Sequence, residues 1–142
     1  MTPEQVKLVQ QSLAQIEPIA DDAASLFYAC LFDLDPPLAE LFHGDPREQG
    51  RKLMHMIGLA VRGLDRLDKL MPVLRDLGAR HSGYGVNERD YQTVGTALLW
   101  TLERGLGTAF TPELETAWSA VYEVFADTMK AGARDSMIVA AA

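Results

Sequence analysis

One cysteine, Cys30, stands in the whole sequence, so no intrachain disulfide forms and a reducing cytoplasm is the expected home. Its neighbours Leu26, Phe27 and Leu31 make it read first as a small buried apolar side chain, with a redox or ligand role as the sharper alternative. Long apolar runs are missing too, none reaching the roughly 18 residues of a membrane span. The opening Met1-Thr2-Pro3-Glu4-Gln5 lacks the basic-then-apolar order of a signal peptide. Basic residues are in deficit, with 13 Lys and Arg against 20 Asp and Glu and a net charge of −7. Such a chain is repelled by DNA and anionic lipid, which argues against nucleic acid and membrane as main partners. Strand signals, internal repeats and low-complexity tracts are also lacking.

What is present is a helical pattern. At 142 residues and 48% hydrophobic content the chain is sized for one domain, residues 1–142, able to enclose a core and a cofactor. Thr2-Pro3-Glu4-Gln5 offers a cap hydroxyl, a proline in the first turn and a Gln to close a capping box. Val6, Val9, Leu13 and Ile16 then keep a helical period. A second helix is expected over Ile19 to Leu34, with Leu26, Phe27, Cys30, Leu31 and Leu34 inward, and a short third from Asp35-Pro36 to near Phe42. Asp45-Pro46-Arg47-Glu48 opens the next, with Leu53, Met56, Ile57, Ala60, Val61 and Leu64 on one stripe. Leu70 to Leu77 leads to Arg80-His81, where Gly83-Tyr84-Gly85 ends a helix. Asn87 and Thr111-Pro112 cap the last two, and the tail from Arg134 is expected to fray. The expectation is an all-α domain of six to eight helices.

Several polar residues fall on otherwise apolar faces. His81 comes one turn after Leu77, Tyr28 lies among Phe27, Leu31 and Phe32, and Gln49 leads the stripe through Leu53. Each has an ordinary reading: a core or surface histidine, a packed phenol bonded to a carbonyl, a solvated amide. His55 follows Gln49 by six residues, about 600° round a helix, and His43 falls in a corner, so both read as surface residues.

Together these residues resemble the globin family, in particular the single-domain bacterial haemoglobins and the haem domain of flavohaemoglobins. The likeness runs from about Glu4 to Met129 and is carried by Leu26-Phe27-Tyr28-Ala29, Leu41-Phe42, Arg51-Lys52-Leu53-Met54, Leu77-Gly78-Ala79-Arg80-His81, Tyr84-Gly85-Val86 and Ala117-Trp118. The spacings from Tyr28 to Phe42 and from Gln49 to His81 fit the family's register.

The resemblance implies a globin fold around a b-type haem (iron protoporphyrin IX), with His81 as the proximal iron ligand and its second ring nitrogen donating to a carbonyl or carboxylate. Phe42 would pack on the porphyrin, Leu53 and Gln49 share the distal face, and Tyr28 approach it from the second helix. Tyr84 and Val86 would lie at the haem edge, and Arg80 or Lys52 pair with a propionate. Tyr91 matches a Tyr that flavohaemoglobins set beside the proximal His together with a Glu. That Glu position falls at or near Ala133, and Glu123 comes too early to replace it, which weakens the expected electron push. With Tyr28 and Gln49 as the distal catalytic pair, the implied partners are the diatomic gases O2, NO and CO. The implied activity is high-affinity oxygen binding and nitric oxide dioxygenation to nitrate. No flavin or nicotinamide domain follows, so a separate reductase is expected, in a monomer or weak homodimer. A gas sensor or oxygen-storage haemoprotein without turnover is the alternative.

Overall fold

The helix starts close as the sequence leads one to expect. Gln5 N–H donates to Thr2 Oγ1 at 3.1 Å and Thr2 N–H to Gln5 Oε1 at 2.9 Å, so the first helix, α1 (Pro3–Ile16), begins in a complete capping box. The Asp45 carboxylate accepts the Arg47 N–H at 3.0 Å, and Thr111 Oγ1 accepts the Leu114 N–H at 3.2 Å. Asn87 N–H donates to the Asp90 carboxylate at 2.8 Å. The computed structural model describes residues 1–141, with side chains through residue 136. Its helices are α1, α2 (Ala20–Leu34), α3 (Pro46–Arg62), α4 (Leu67–Gly83), α5 (Glu88–Leu106) and α6 (Pro112–Ala141). Short 3-10 turns join them at Glu17–Ile19, Pro36–Leu41, Gly63–Arg66 and Gly107–Ala109. The all-α expectation holds.

Three local expectations change. The short third helix is a 3-10 stretch, Pro36–Leu41, because the paired prolines at its start supply no N–H donors. Leu26 and Leu34 do not face inward: they are 37% and 49% exposed, since α2 turns its Ala23, Ala24, Phe27 and Leu31 face to the core. The tail does not fray at Arg134. α6 continues to Ala141, and its alanines favour helix propagation. Ala142 lies outside the described residues.

The main core joins Val9, Leu13 and Ile16 of α1 to Val61 and Leu64, Leu74, Leu102, Trp118 and Val121. Trp118 is 1% exposed and donates its indole N–H to Ser12 Oγ at 2.8 Å, which in turn donates to the Val9 carbonyl. The indole polar atom is thereby satisfied, so the ring's burial counts as net stabilisation. A second cluster, Phe27, Leu31, Leu38 and Ala97, has half-buried Tyr28, Phe32, Leu41, Leu53 and Val94 around it.

Two glycines fix how α4 sits. A Cβ on Gly78 would stand 1.9 Å from the Met129 carbonyl oxygen, and one on Gly132 would stand 2.0 Å from the Arg75 carbonyl oxygen. The α4 and α6 backbones therefore touch, and only glycine permits it. α4 packs chiefly on α6, whereas α3 packs on α1 and α2. Consecutive in sequence, α3 and α4 thus rest mainly on different helices, although Val61 of α3 and Leu70 and Leu74 of α4 share the main core.

Candidate haem site

Several apolar side chains of α3 and α4 are only partly covered. Leu53, Met56 and Ile57 of α3, Leu77 of α4, and Val86 are half-buried, and Phe42 is 37% exposed. Beneath Leu53 and Ile57 lies a small apolar cavity of about 20 Å³, walled also by Phe27, Leu98 and Trp118.

His81 sits in the last turn of α4 and is half-buried. Its Nδ1 lies 2.8 Å from the Leu77 carbonyl oxygen one turn back. A carbonyl only accepts, so Nδ1 carries the proton and Nε2 keeps a lone pair for a metal. Burial holds the His81 pKa below the ordinary histidine value, helped by neighbouring Arg80 and opposed by the Leu77 bond. The neutral form that ligates metal is thus the favoured one. The chain then turns away after α4: the Tyr84 and Val86 N–H groups donate to the His81 carbonyl at 3.0 and 3.1 Å, and Gly85 takes φ +96°, which glycine alone accepts freely.

On the other side, Tyr28 packs in an aromatic group. Its ring stacks on Phe32 with centroids 5.8 Å apart and meets Phe42 edge-on at 5.3 Å. Burial pushes its phenol pKa up, so the hydroxyl stays a donor. That hydroxyl donates to the Gln49 backbone carbonyl at 3.2 Å, and the Gln49 side-chain amide donates to the His43 carbonyl. Tyr28 and Gln49 are thus neighbours, and each donates to main chain.

Tyr91 is 7% exposed, and its hydroxyl is buried without a hydrogen-bond partner. Tyr122 donates to the Tyr91 carbonyl at 2.5 Å and so fixes its backbone, not its phenol. Tyr91 does not bond His81, whose Nδ1 is taken by Leu77. Ala133 offers no acceptor, and Glu123 is exposed. Tyr84 is 69% exposed, its ring centroid 6.5 Å from that of His81. Lys52 and Arg80 are exposed, and Arg80 pairs with Asp76 at 3.3 Å. His43 and His55 are on the surface, as the sequence suggests. Sequence reasoning set Tyr28 among Phe27 and Phe32, four residues on, but missed that Phe42 closes the aromatic group. It also missed the resting acceptors of Tyr28 and Gln49, for which no sequence signal exists.

These residues fit a haem. Among the described residues no group of three or more His, Cys, Asp or Glu could hold a bare ion. A lone neutral imidazole suits iron whose other equatorial ligands come from a macrocycle. The half-buried apolar side chains Leu53, Met56 and Ile57 of α3 and Leu77 of α4 are what a flat, mostly apolar group would cover further.

Comparison with known proteins agrees with this geometry. The Globin family profile matches residues 25–129. Neuroglobins of Chaenocephalus aceratus and Danio rerio are each 35% identical over 121 residues, covering 75% of this chain and 76% of theirs. In structure, an engineered carbene transferase from Rhodothermus marinus, provisionally described as a nitric oxide dioxygenase, superposes with a TM-score of 0.88. It is 22% identical and covers 100% of this chain and 99% of its own. A hexacoordinated haem protein from an anhydrobiotic tardigrade gives 0.84 at 19% identity, covering 94% and 96%. No helix of the described residues is long and apolar enough to cross a membrane. The chain belongs to the globin family, whose members bind haem and, through it, diatomic gases.

Proposed function

We propose that this globin, one domain over its length, binds a b-type haem through His81 and takes oxygen with high affinity, and that it converts nitric oxide to nitrate when a separate reductase supplies electrons. The observation that carries the reading is the His81 ring, held by the Leu77 carbonyl with one nitrogen left for iron. The Tyr28 phenol and the Gln49 amide, gathered at the start of α3, are the donors the reading sets on the gas side. Haem, when bound, supplies the iron that takes up the gas and the electron that the reaction consumes. Nitric oxide, oxygen and one electron give nitrate, so continued turnover would need that electron resupplied by the reductase.

The chain's own part is to position, to donate and to exclude water. Phe42 and Leu53 would cover the macrocycle, with Val86 and Tyr84 at its edge and Arg80 or Lys52 beside the propionates. Tyr28 donates across 3.2 Å to the Gln49 carbonyl, long for a hydroxyl donor, whose usual span is about 2.7–2.8 Å. A gas ligand gathering negative charge in the slot is a stronger acceptor than that carbonyl, so the phenol and the Gln49 amide are free to redirect to it. Donors to a charged, buried acceptor contribute about 1.5–3 kcal/mol each. That slows oxygen escape by about two orders of magnitude for the pair, each 1.4 kcal/mol being roughly tenfold. Carbon monoxide, less polar when held, gains less.

A second reading, oxygen storage or gas sensing without turnover, is favoured by one observation. His81 donates to a neutral carbonyl, Tyr91 has no partner, and Ala133 stands where an acidic residue would complete an electron-pushing set. Rapid mixing of the oxygen-loaded ferrous protein with nitric oxide separates the two. Nitrate formation, repeated on adding a flavin-dependent reductase, supports the first; oxygen release without nitrate supports the second.

A further inference from the structure

Away from the haem slot, α2 leaves an apolar row uncovered. Leu26 and Leu34 are 37% and 49% exposed, and half-buried Cys30 lies between them, four residues from each. Residues at that spacing form one line along a helix, and Cys30 is about 200° round from Tyr28, so the line faces away from the slot. On the neighbouring α5, the Arg104 guanidinium lies 4.6 Å over the half-buried Trp100 ring. Asp33, exposed on α2, stands three residues on from Cys30 and so beside the row on the side turned from the core, and Arg104 is exposed on α5, the helix that packs along α2 on its other side. The row is thus apolar along its length, acidic on its α2 edge and basic on its α5 edge.

We propose that this row is the contact face for a second copy of the same chain, with the two α2 helices parallel about a two-fold axis running along them. A two-fold interface brings the same patch of both copies together, so the patch must complement itself. An axis along the row sets each apolar residue against its own copy and turns each edge onto the opposite edge. Asp33 of one copy then meets the partner subunit's Arg104, and the converse. An axis across the row would make the helices antiparallel and set acid beside acid and base beside base. Charge selects the parallel arrangement. Trp100 then covers the outer edge of the other copy's α2, and a paired row removes apolar surface from water in a molecule whose net charge of −7 otherwise keeps copies apart. Cys30 meets its own counterpart near the axis.

The test is sedimentation velocity on the full, haem-loaded protein over a concentration series, with a short bismaleimide to trap neighbouring Cys30 thiols. The expected result is a concentration-dependent dimer that cross-links through Cys30. Leu34→Glu should weaken it about tenfold or more, as loss of an interface anchor does. Arg104→Asp should weaken it too, and adding Asp33→Arg should restore it, while Leu59→Glu, on an exposed leucine of α3, should leave it unchanged. Circular dichroism establishes that each variant is folded. A monomer at every concentration to about 1 mM, where even weak specific association shows, overturns the proposal. So does a dimer indifferent to Leu34→Glu, or failure of the charge swap to rescue.

Discussion

At the residue scale, the account rests on His81 and Tyr28. His81→Ala should purify with most of its haem lost, read as disappearance of the Soret band, because apolar packing alone would remain to hold the group. Retention of histidine-ligated haem in that variant would mean another residue is the ligand. Tyr28→Phe should speed oxygen dissociation by about tenfold or more, the equivalent of one donor to a charged acceptor; flash photolysis or stopped flow gives the rate, and an unchanged value would place the phenol elsewhere. The acceptor for His81 Nδ1 was half legible: a carbonyl or carboxylate was expected, and the Leu77 carbonyl is simply what stands one turn behind any helical residue. The resting bonds of Tyr28 and Gln49 were not legible, because they depend on where the start of α3 lies relative to α2, a matter of packing between segments. The unpartnered Tyr91 hydroxyl was not legible either, although the absence of an acid at Ala133 was.

At the element scale, capping chemistry was legible because its partners sit within three residues of each other. Thr2→Ala should cost about 1 kcal/mol of stability, the usual worth of an N-cap hydroxyl. The close contact of α4 with α6 was not legible, since Gly78 and Gly132 lie 54 positions apart and neither marks a turn. Gly78→Ala and Gly132→Ala should each destabilise by at least about 1–3 kcal/mol, because the added methyl meets a backbone carbonyl that has no free rotation. A lowered urea midpoint at unchanged slope checks this, and weaker haem retention should accompany it, because α4 carries His81. The misassigned face of α2 has a similar cause. Its true core face includes Ala23 and Ala24, small residues that a pattern weighted to leucines passes over, and the leucines at 26 and 34 belong to the outer row.

At the scale of the whole molecule, the domain rests α4 chiefly on α6 and α3 on α1 and α2, so that Leu53 and His81 are positioned by different supports. The family and the helical class were readable from spaced motifs. Which helix packs on which became visible only in the structure. On the proposed reading turnover belongs to this scale, since each nitrate would need an electron supplied by a separate reductase. Nitric oxide added to the oxygen-loaded protein should yield about one nitrate per haem in the absence of a reductant and many with one, in line with the single electron each nitrate needs; several per haem without any reductant would require an internal electron source.

The central claim is one imidazole on iron with the opposite position open, and the absorption spectrum of the anaerobic ferrous protein tests it most directly. The account expects the single broad visible band of five-coordinate, high-spin haem, abolished in His81→Gly and restored there by added imidazole. The sharp, split visible bands of six-coordinate, low-spin haem, or a five-coordinate spectrum that persists in His81→Gly without imidazole, would contradict it.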